Sequence, residues 1–155
     1  MTDDQKFERF NGWPIKQLLL RGGDRIVLTF CWDGTEPNRS IFEANHNIYR
    51  LDSQGNIIWQ VQRDDSNHPP DWWEVLHRYA REEGKDGARE PFTEFHVEYA
   101  DGTTSFDQLT CQWNDAAVWQ PGCKIWAAGS AYQNYILDPD TGIAKNITDW
   151  PVRPW

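Results

Sequence analysis

The sequence predicts a mainly β protein built from antiparallel meander sheets with one helix near residues 72–83 packed on a sheet. Three observations carry that expectation. Short runs rich in Ile, Val, Leu, Tyr, Phe and Trp recur along the chain, separated by Gly- and Asp-containing turns. One stretch, Trp72 to Glu83, has apolar residues at helical spacing. The chain has 155 residues, enough for a single domain (1–155) with its own core, and ten Trp, seven Phe and five Tyr to fill it.

Taken in order, Ile15 to Leu20 and Arg25 to Trp32 read as a hairpin around Arg21-Gly22-Gly23-Asp24. Asp33 to Asn38 is turn chemistry, and Ser40 to Leu51 reads as the next strand, bulged near Asn45-His46-Asn47. Ile48 to Leu51 and Ile57 to Val61 then flank Asp52-Ser53-Gln54-Gly55-Asn56. The Asp52 carboxylate can accept a backbone N–H two residues on, and Gly55 supplies the positive φ of a tight reversal.

Residues 64–91 interrupt the meander as a loop-helix insertion. Asp71 is placed to cap a helix, Glu74 follows three positions on, and Gly84 can end it. The expected inward stripe is Trp72, Leu76 and Tyr79, and this is expected to be the only helix. Phe92 to Ala100 alternates, with Thr93, Phe95, Val97 and Tyr99 as the buried set. Ala100-Asp101-Gly102-Thr103 is a two-residue hairpin turn leading to a strand from Thr104 toward Trp113, and 114–122 reads as loop. Strands are then expected at Cys123 to Ala128, Tyr132 to Asp138 and Ile143 to Ile147, before an irregular tail ending Trp150-Pro151-Val152-Arg153-Pro154-Trp155.

Two of these stretches repeat one another. Ile41, Phe42, Ala44, Tyr49, Leu51, Asp52 and Gly55 correspond to Ile125, Trp126, Ala128, Tyr135, Leu137, Asp138 and Gly142. The shared unit is Ile-aromatic-x-Ala, a small turn, Tyr-x-Leu-Asp and a Gly turn, which implies three antiparallel strands in a row at 41–58 and at 125–144. YRLDSQGNIIW and YILDPDTGI resemble blades of quinoprotein-type β-propellers, over about 40 of the 155 residues. A closed propeller needs roughly four blades of about 40 residues, and the insertion at 64–91 leaves no room for them. The resemblance therefore implies blade-like meanders in a sandwich or an incomplete propeller, with no quinone cofactor carried over. An up-and-down β-barrel is the alternative, since Phe10-Asn11-Gly12-Trp13 resembles the Gly-Trp entrance of lipocalin-type barrels, whose motif has one more residue between Gly and Trp.

Charge narrows the function classes. The net charge is −9, and residues 64–91 hold eight acidic against four basic side chains. No cluster of Lys and Arg is available to neutralise phosphates, which argues against nucleic-acid and anionic-membrane partners and suits a basic protein partner. The start lacks a basic n-region and an apolar h-region, and Cys31, Cys111 and Cys123 are odd in number without CxxC spacing. A reduced, cytoplasmic protein is expected.

The spacing of chemistry-bearing residues offers neither a metal set nor a cofactor motif. His46, His68, His77 and His96 are scattered, and Gly129-Ser130 lacks the flanks of a nucleophile elbow. Tryptophan excess is the unusual feature. Trp72 and Trp73 are adjacent, so one must leave the main helical stripe, and the tail adds Trp150 and Trp155. With His68 and Tyr79 they define a candidate binding surface between residues 64–79 and the tail. Three readings follow: a non-catalytic protein-binding or self-associating (homo-oligomeric) domain, a small-molecule-binding β domain with an aromatic pocket, and an enzyme whose residues converge only in three dimensions. For the last, His68, His77, His96, Asp64 and Asp65 are the first candidates.

Overall fold

A computed structural model describes residues 13–30, 40–107, 112–113, 116–129 and 133–148. They form two five-stranded sheets and a two-stranded ribbon. The first sheet contains β1 (Trp13–Leu19), β2 (Arg25–Phe30), β3 (Ile48–Leu51), β4 (Ile57–Gln60) and β9 (Ala116–Val118), in the order β4-β3-β2-β1-β9. The second contains β5 (Gln62–Asp64), β6 (Phe92–Glu98), β10 (Lys124–Gly129), β11 (Asn134–Leu137) and β12 (Ile143–Asn146), in the order β5-β12-β11-β10-β6. Pairing is antiparallel except at β1–β9 and β5–β12. The ribbon pairs β7 (Phe106–Asp107) with β8 (Gln112–Trp113). Both sheets keep edge strands, so the barrel alternative is not what forms.

The sheets share one core, as a sandwich requires. Leu18, Ile26, Leu28 and Ile48 come from the first, and Phe92, Phe95, Val97, Ile125, Ala127, Tyr135, Leu137 and Ala144 from the second. Burying each large apolar side chain contributes about 1.5–3 kcal/mol. The phenol ring of Tyr135 meets Phe92 edge-to-face with centroids 5.0 Å apart. Val61 lies between β4 and β5 and is itself buried, so the chain passes from one sheet to the other at that residue. Val27, Tyr49 and Leu51 make a second, smaller buried cluster on the opposite face of the first sheet.

The hairpins form where local chemistry places them. Asp52 Oδ1 accepts the N–H groups of Gln54 and Asn56 at 2.8 and 2.9 Å, and Gly55 has φ +85°. The β3–β4 strands also meet the β11–β12 turn: Trp59 Nε1 and Arg50 Nη1 both donate to Pro139 O, at 2.9 and 2.8 Å. Gly142 lies flat beneath Trp59, where an added Cβ would sit 2.6 Å from its ring.

Several expectations are corrected. Residues 41–45 are not a strand but a short helix, α1 (Ile41–Asn45), so 72–83 does not hold the only helix. Ser40 Oγ caps it by accepting the Glu43 N–H at 3.1 Å, a Ser-x-x-Glu spacing legible in the sequence. The repeat accordingly reduces, in its first copy, to a hairpin, while the second copy is a three-strand meander. A 3-10 turn at Arg21–Gly23 joins β1 to β2. Residues 116–118, read as loop, pair with β1. In β6 the bulge opposite Ala128–Gly129 resets the alternation and buries Phe92 together with Phe95 and Val97.

The long helix α2 (Trp72–Glu82) also differs in its seating. Its Asp71 side chain makes no cap bond, although Gly84 does follow with φ +87°. None of its residues is buried. Its half-buried residues are Trp72, Trp73, Val75, Leu76, His77 and Ala80, so of the expected stripe only Tyr79, 56% exposed, turns outward. The helix is tied to the segments that flank it, through Trp73 to Asp65 and through His77 to Ala88. Among the described residues no helix is long and apolar enough to cross a membrane.

Candidate binding groove at the start of the long helix

β5 is three residues long and ends where its pairing with β12 ends, at Asp64–Lys145. The chain then turns. Asp64 takes the Ser66 N–H on its carboxylate at 3.1 Å, and His68 N–H donates to Asp65 O at 2.9 Å. The turn carries Asp65 and His68 to the first turn of α2, where they meet Trp73 and Trp72.

What lies there is polar. The Asp65 carboxylate accepts three donors: Tyr135 Oη at 2.7 Å, Trp73 Nε1 at 2.8 Å and Asn146 Nδ2 at 2.9 Å. Asn146 also donates to Gln133 Oε1 at 2.9 Å, and that oxygen lies 2.7 Å from His68 Nε2. His68, Gln133 and Asn146 are all buried. Arg63 extends into the same space, donating to Asn45 O at 2.7 Å, to Tyr135 Oη at 3.2 Å and to Glu90 O. Its guanidinium lies over Phe92, with Trp73 and Tyr135 alongside, at 4.2, 5.2 and 5.4 Å.

Burial sets the electrostatics. It pushes the Tyr135 hydroxyl well above its ordinary value; the Arg63 charge opposes this and the Asp65 charge adds to it. It pulls Arg63 below its ordinary value, against the neighbouring Tyr135 and Asp65. His46, at the end of α1, is held below 6.5 by burial, with its Nδ1 2.7 Å from Phe42 O.

Above this network is an open groove of about 440 Å³, lined by Arg63, Asp65, Ser66, His68, Pro69, Pro70, Trp72 and Trp73. The His68 imidazole stacks on Trp72, with centroids 4.0 Å apart and planes within 7°, and the two indoles meet edge-on at 5.2 Å. His68, Trp72 and Trp73 therefore come together. Tyr79 does not join them; it lines a separate hollow of about 400 Å³ with Leu76 and Ala80. Trp150 and Trp155 lie outside the described residues.

The candidate catalytic set disperses. His77 Nδ1 accepts the Ala88 N–H at 2.9 Å, and His96 faces Trp126 in the second sheet at 6.2 Å. Asp64 pairs in register with Lys145 at the sheet edge, and only Asp65 and His68 share the groove. Among the described residues no group of three His, Cys, Asp or Glu side chains is placed to hold a metal ion.

Arg63, Gln133, Tyr135 and Asn146 escaped the sequence reading. One signal was available: Ala144 and Asn146 alternate with Ile143 and Lys145, which puts an amide on the inner face of β12. Neither a family model, nor a curated protein, nor a solved structure matches the chain.

Proposed function

We propose that this protein binds another protein without catalysis, and that the groove beside Trp72 and Trp73 is its contact surface. One observation carries the reading. The groove is walled by two indoles and a stacked imidazole, while the polar groups beneath them, Arg63 and Asp65, are spent on hydrogen bonds within the fold. Such a surface is preorganised and aromatic, the character of a binding hot spot. Its acidic surroundings, eight acidic to four basic side chains over 64–91, favour a segment that presents Arg or Lys with an aliphatic neighbour.

The same charge opposes nucleic acid and anionic membranes as partners, and a net −9 on each copy opposes self-association. A cytoplasmic setting belongs to the same proposal, supported by the odd number of cysteines and their lack of CxxC spacing. A small-molecule ligand is the second reading, favoured by a groove volume within the range that ligands occupy.

The test is a titration of isotope-labelled protein with matched octapeptides that differ only in carrying Arg-Leu or Glu-Leu at the centre. The indole resonances of Trp72 and Trp73 shift with the basic peptides, less so at high salt, and Trp72→Ala abolishes the response. Indifference to every peptide alongside a response to a metabolite panel replaces this reading with the second.

A further inference from the structure

α2 has no fully buried residue, and specific ties add to the packing of its half-buried side. Its first turn is fastened by Trp73 to Asp65 and by Trp72 to His68. Along the middle, the tie is the 2.9 Å hydrogen bond from Ala88 N–H to His77 Nδ1. That bond sits in a crowded place. A Cβ on Gly87 would lie 2.5 Å from Ile41 Cδ1 and 3.0 Å from His77 Nδ1. The other side of the Ala88 residue is held too, since Asn45 Nδ2 donates to Ala88 O at 3.0 Å. Asn45 O in turn accepts from Arg63. A line of hydrogen bonds thus runs from His77 through Ala88 and Asn45 to the guanidinium at the groove floor.

The chemistry of the first bond has a direction. Nδ1 accepts only while it keeps its lone pair, which the neutral ring does with its proton on Nε2. The doubly protonated ring has N–H at both positions, so the acceptor disappears and two donors confront each other. Histidine is the side chain that makes this change near neutral pH.

We infer that His77 is a pH-sensitive latch on the groove. The neutral ring holds α2 against the 84–90 loop and fixes the wall formed by Trp72 and Trp73; protonation releases the helix and loosens that wall. The consequence for binding rests on the reading of the groove given above, whereas the latch stands on its own geometry. Charged groups around it are Glu74 and Arg81 one turn away on either side, Asp86 and Arg89 on the loop, paired with each other at 3.1 Å, and Glu90 beyond them. Glu43 on α1 and, past Trp73, Arg63 and Asp65 complete the set. The bond itself sets the direction.

The test is amide exchange at Ala88 in the ligand-free chain, corrected for intrinsic rates, between about pH 7.5 and about pH 5.5, where histidine changes charge, with the ring-nitrogen shifts of His77 followed in the same sample. Protection falls roughly three- to tenfold in step with the ring, the range one hydrogen bond supplies. In His77→Gln the side-chain oxygen accepts at any pH and Ala88 stays protected throughout; in His77→Leu it is unprotected throughout. Exchange of the Trp73 indole N–H follows the same order. A wild-type protection unchanged while the His77 ring charges overturns the latch. So does an acid loss that persists in His77→Gln, which assigns it to His46 or His68. No ligand is present in these measurements, so their failure leaves the groove reading standing, and a groove that ignores peptides while Ala88 stays protected fails by itself.

Discussion

The Tyr135 hydroxyl donates to the Asp65 carboxylate at 2.7 Å, joining the middle of β11 to the turn that precedes α2, 70 residues away in sequence. That carboxylate also holds the Trp73 indole and the Asn146 amide. One side chain thereby fixes a strand, a helix and the groove between them. Asp65→Ala removes the acceptor from Tyr135 Oη and Trp73 Nε1 and one of two acceptors from the Asn146 amide, and the expected loss is about 2–3 kcal/mol. Thermal unfolding reads this as a fall of roughly 5–10 °C for a chain of this size, and an unchanged midpoint would remove Asp65 from its central place.

Tyr135 also imposes a pH limit. Its hydroxyl is raised in the fold above the ordinary value of 10.0, so the folded state favours the protonated form. The stabilisation is complete below 10.0 and is lost as pH rises above it, because the unfolded chain ionises first. In an alkaline titration followed by phenolate absorbance, one of the five tyrosines ionises only together with unfolding. Tyr135→Phe removes that coupled step; its persistence in the variant would assign the step elsewhere.

Arg63 is expected to resist conservative replacement. Lysine keeps the charge but cannot reach Asn45 O, Glu90 O and Tyr135 Oη from one planar head while lying over the Phe92 ring. Arg63→Lys costs about 2–3 kcal/mol in chemical denaturation. A loss within about 0.5 kcal/mol, the size of an ordinary surface change, contradicts this account.

Two glycines separate conformational strain from close contact. Gly102 and Gly142 have φ of +86° and +77°, but an added Cβ meets nothing at Gly102 and lies 2.6 Å from the Trp59 ring at Gly142. Gly102→Ala is expected to cost about 1 kcal/mol from strain alone. Gly142→Ala adds displacement of Trp59 and reaches about 3 kcal/mol. Equal losses would mean that Trp59 does not bear on the turn at Gly142.

The elements that were legible in the sequence are those whose causes lie within a few residues. The β3–β4 hairpin depends on Asp52 accepting N–H groups two and four positions on and on Gly55 reversing the chain. The helix at 72–82 shows in its apolar spacing, but which side it turns inward does not, because Trp73 and His77 are drawn in by Asp65 and Ala88, which belong to the turn before it and the loop after it. Residues 41–45 misled for a related reason. Ile-Phe-x-Ala suits a strand or a helix, and the Ser40 cap together with the tie from Asn45 to Ala88, 43 residues on, favours the helix.

Alternation, turn chemistry and charge sufficed for a mainly β, acidic, tryptophan-rich chain, since each acts over a few neighbouring residues or over the composition as a whole. The candidate groove was decided by tertiary structure. His68 meets Gln133 65 positions away, and Asn146 meets Asp65 81 positions away, only because β5 pairs in parallel with β12 and brings both ends to one place. Hydrogen-bond partners at such separations are chosen by strand pairing, which no local pattern encodes.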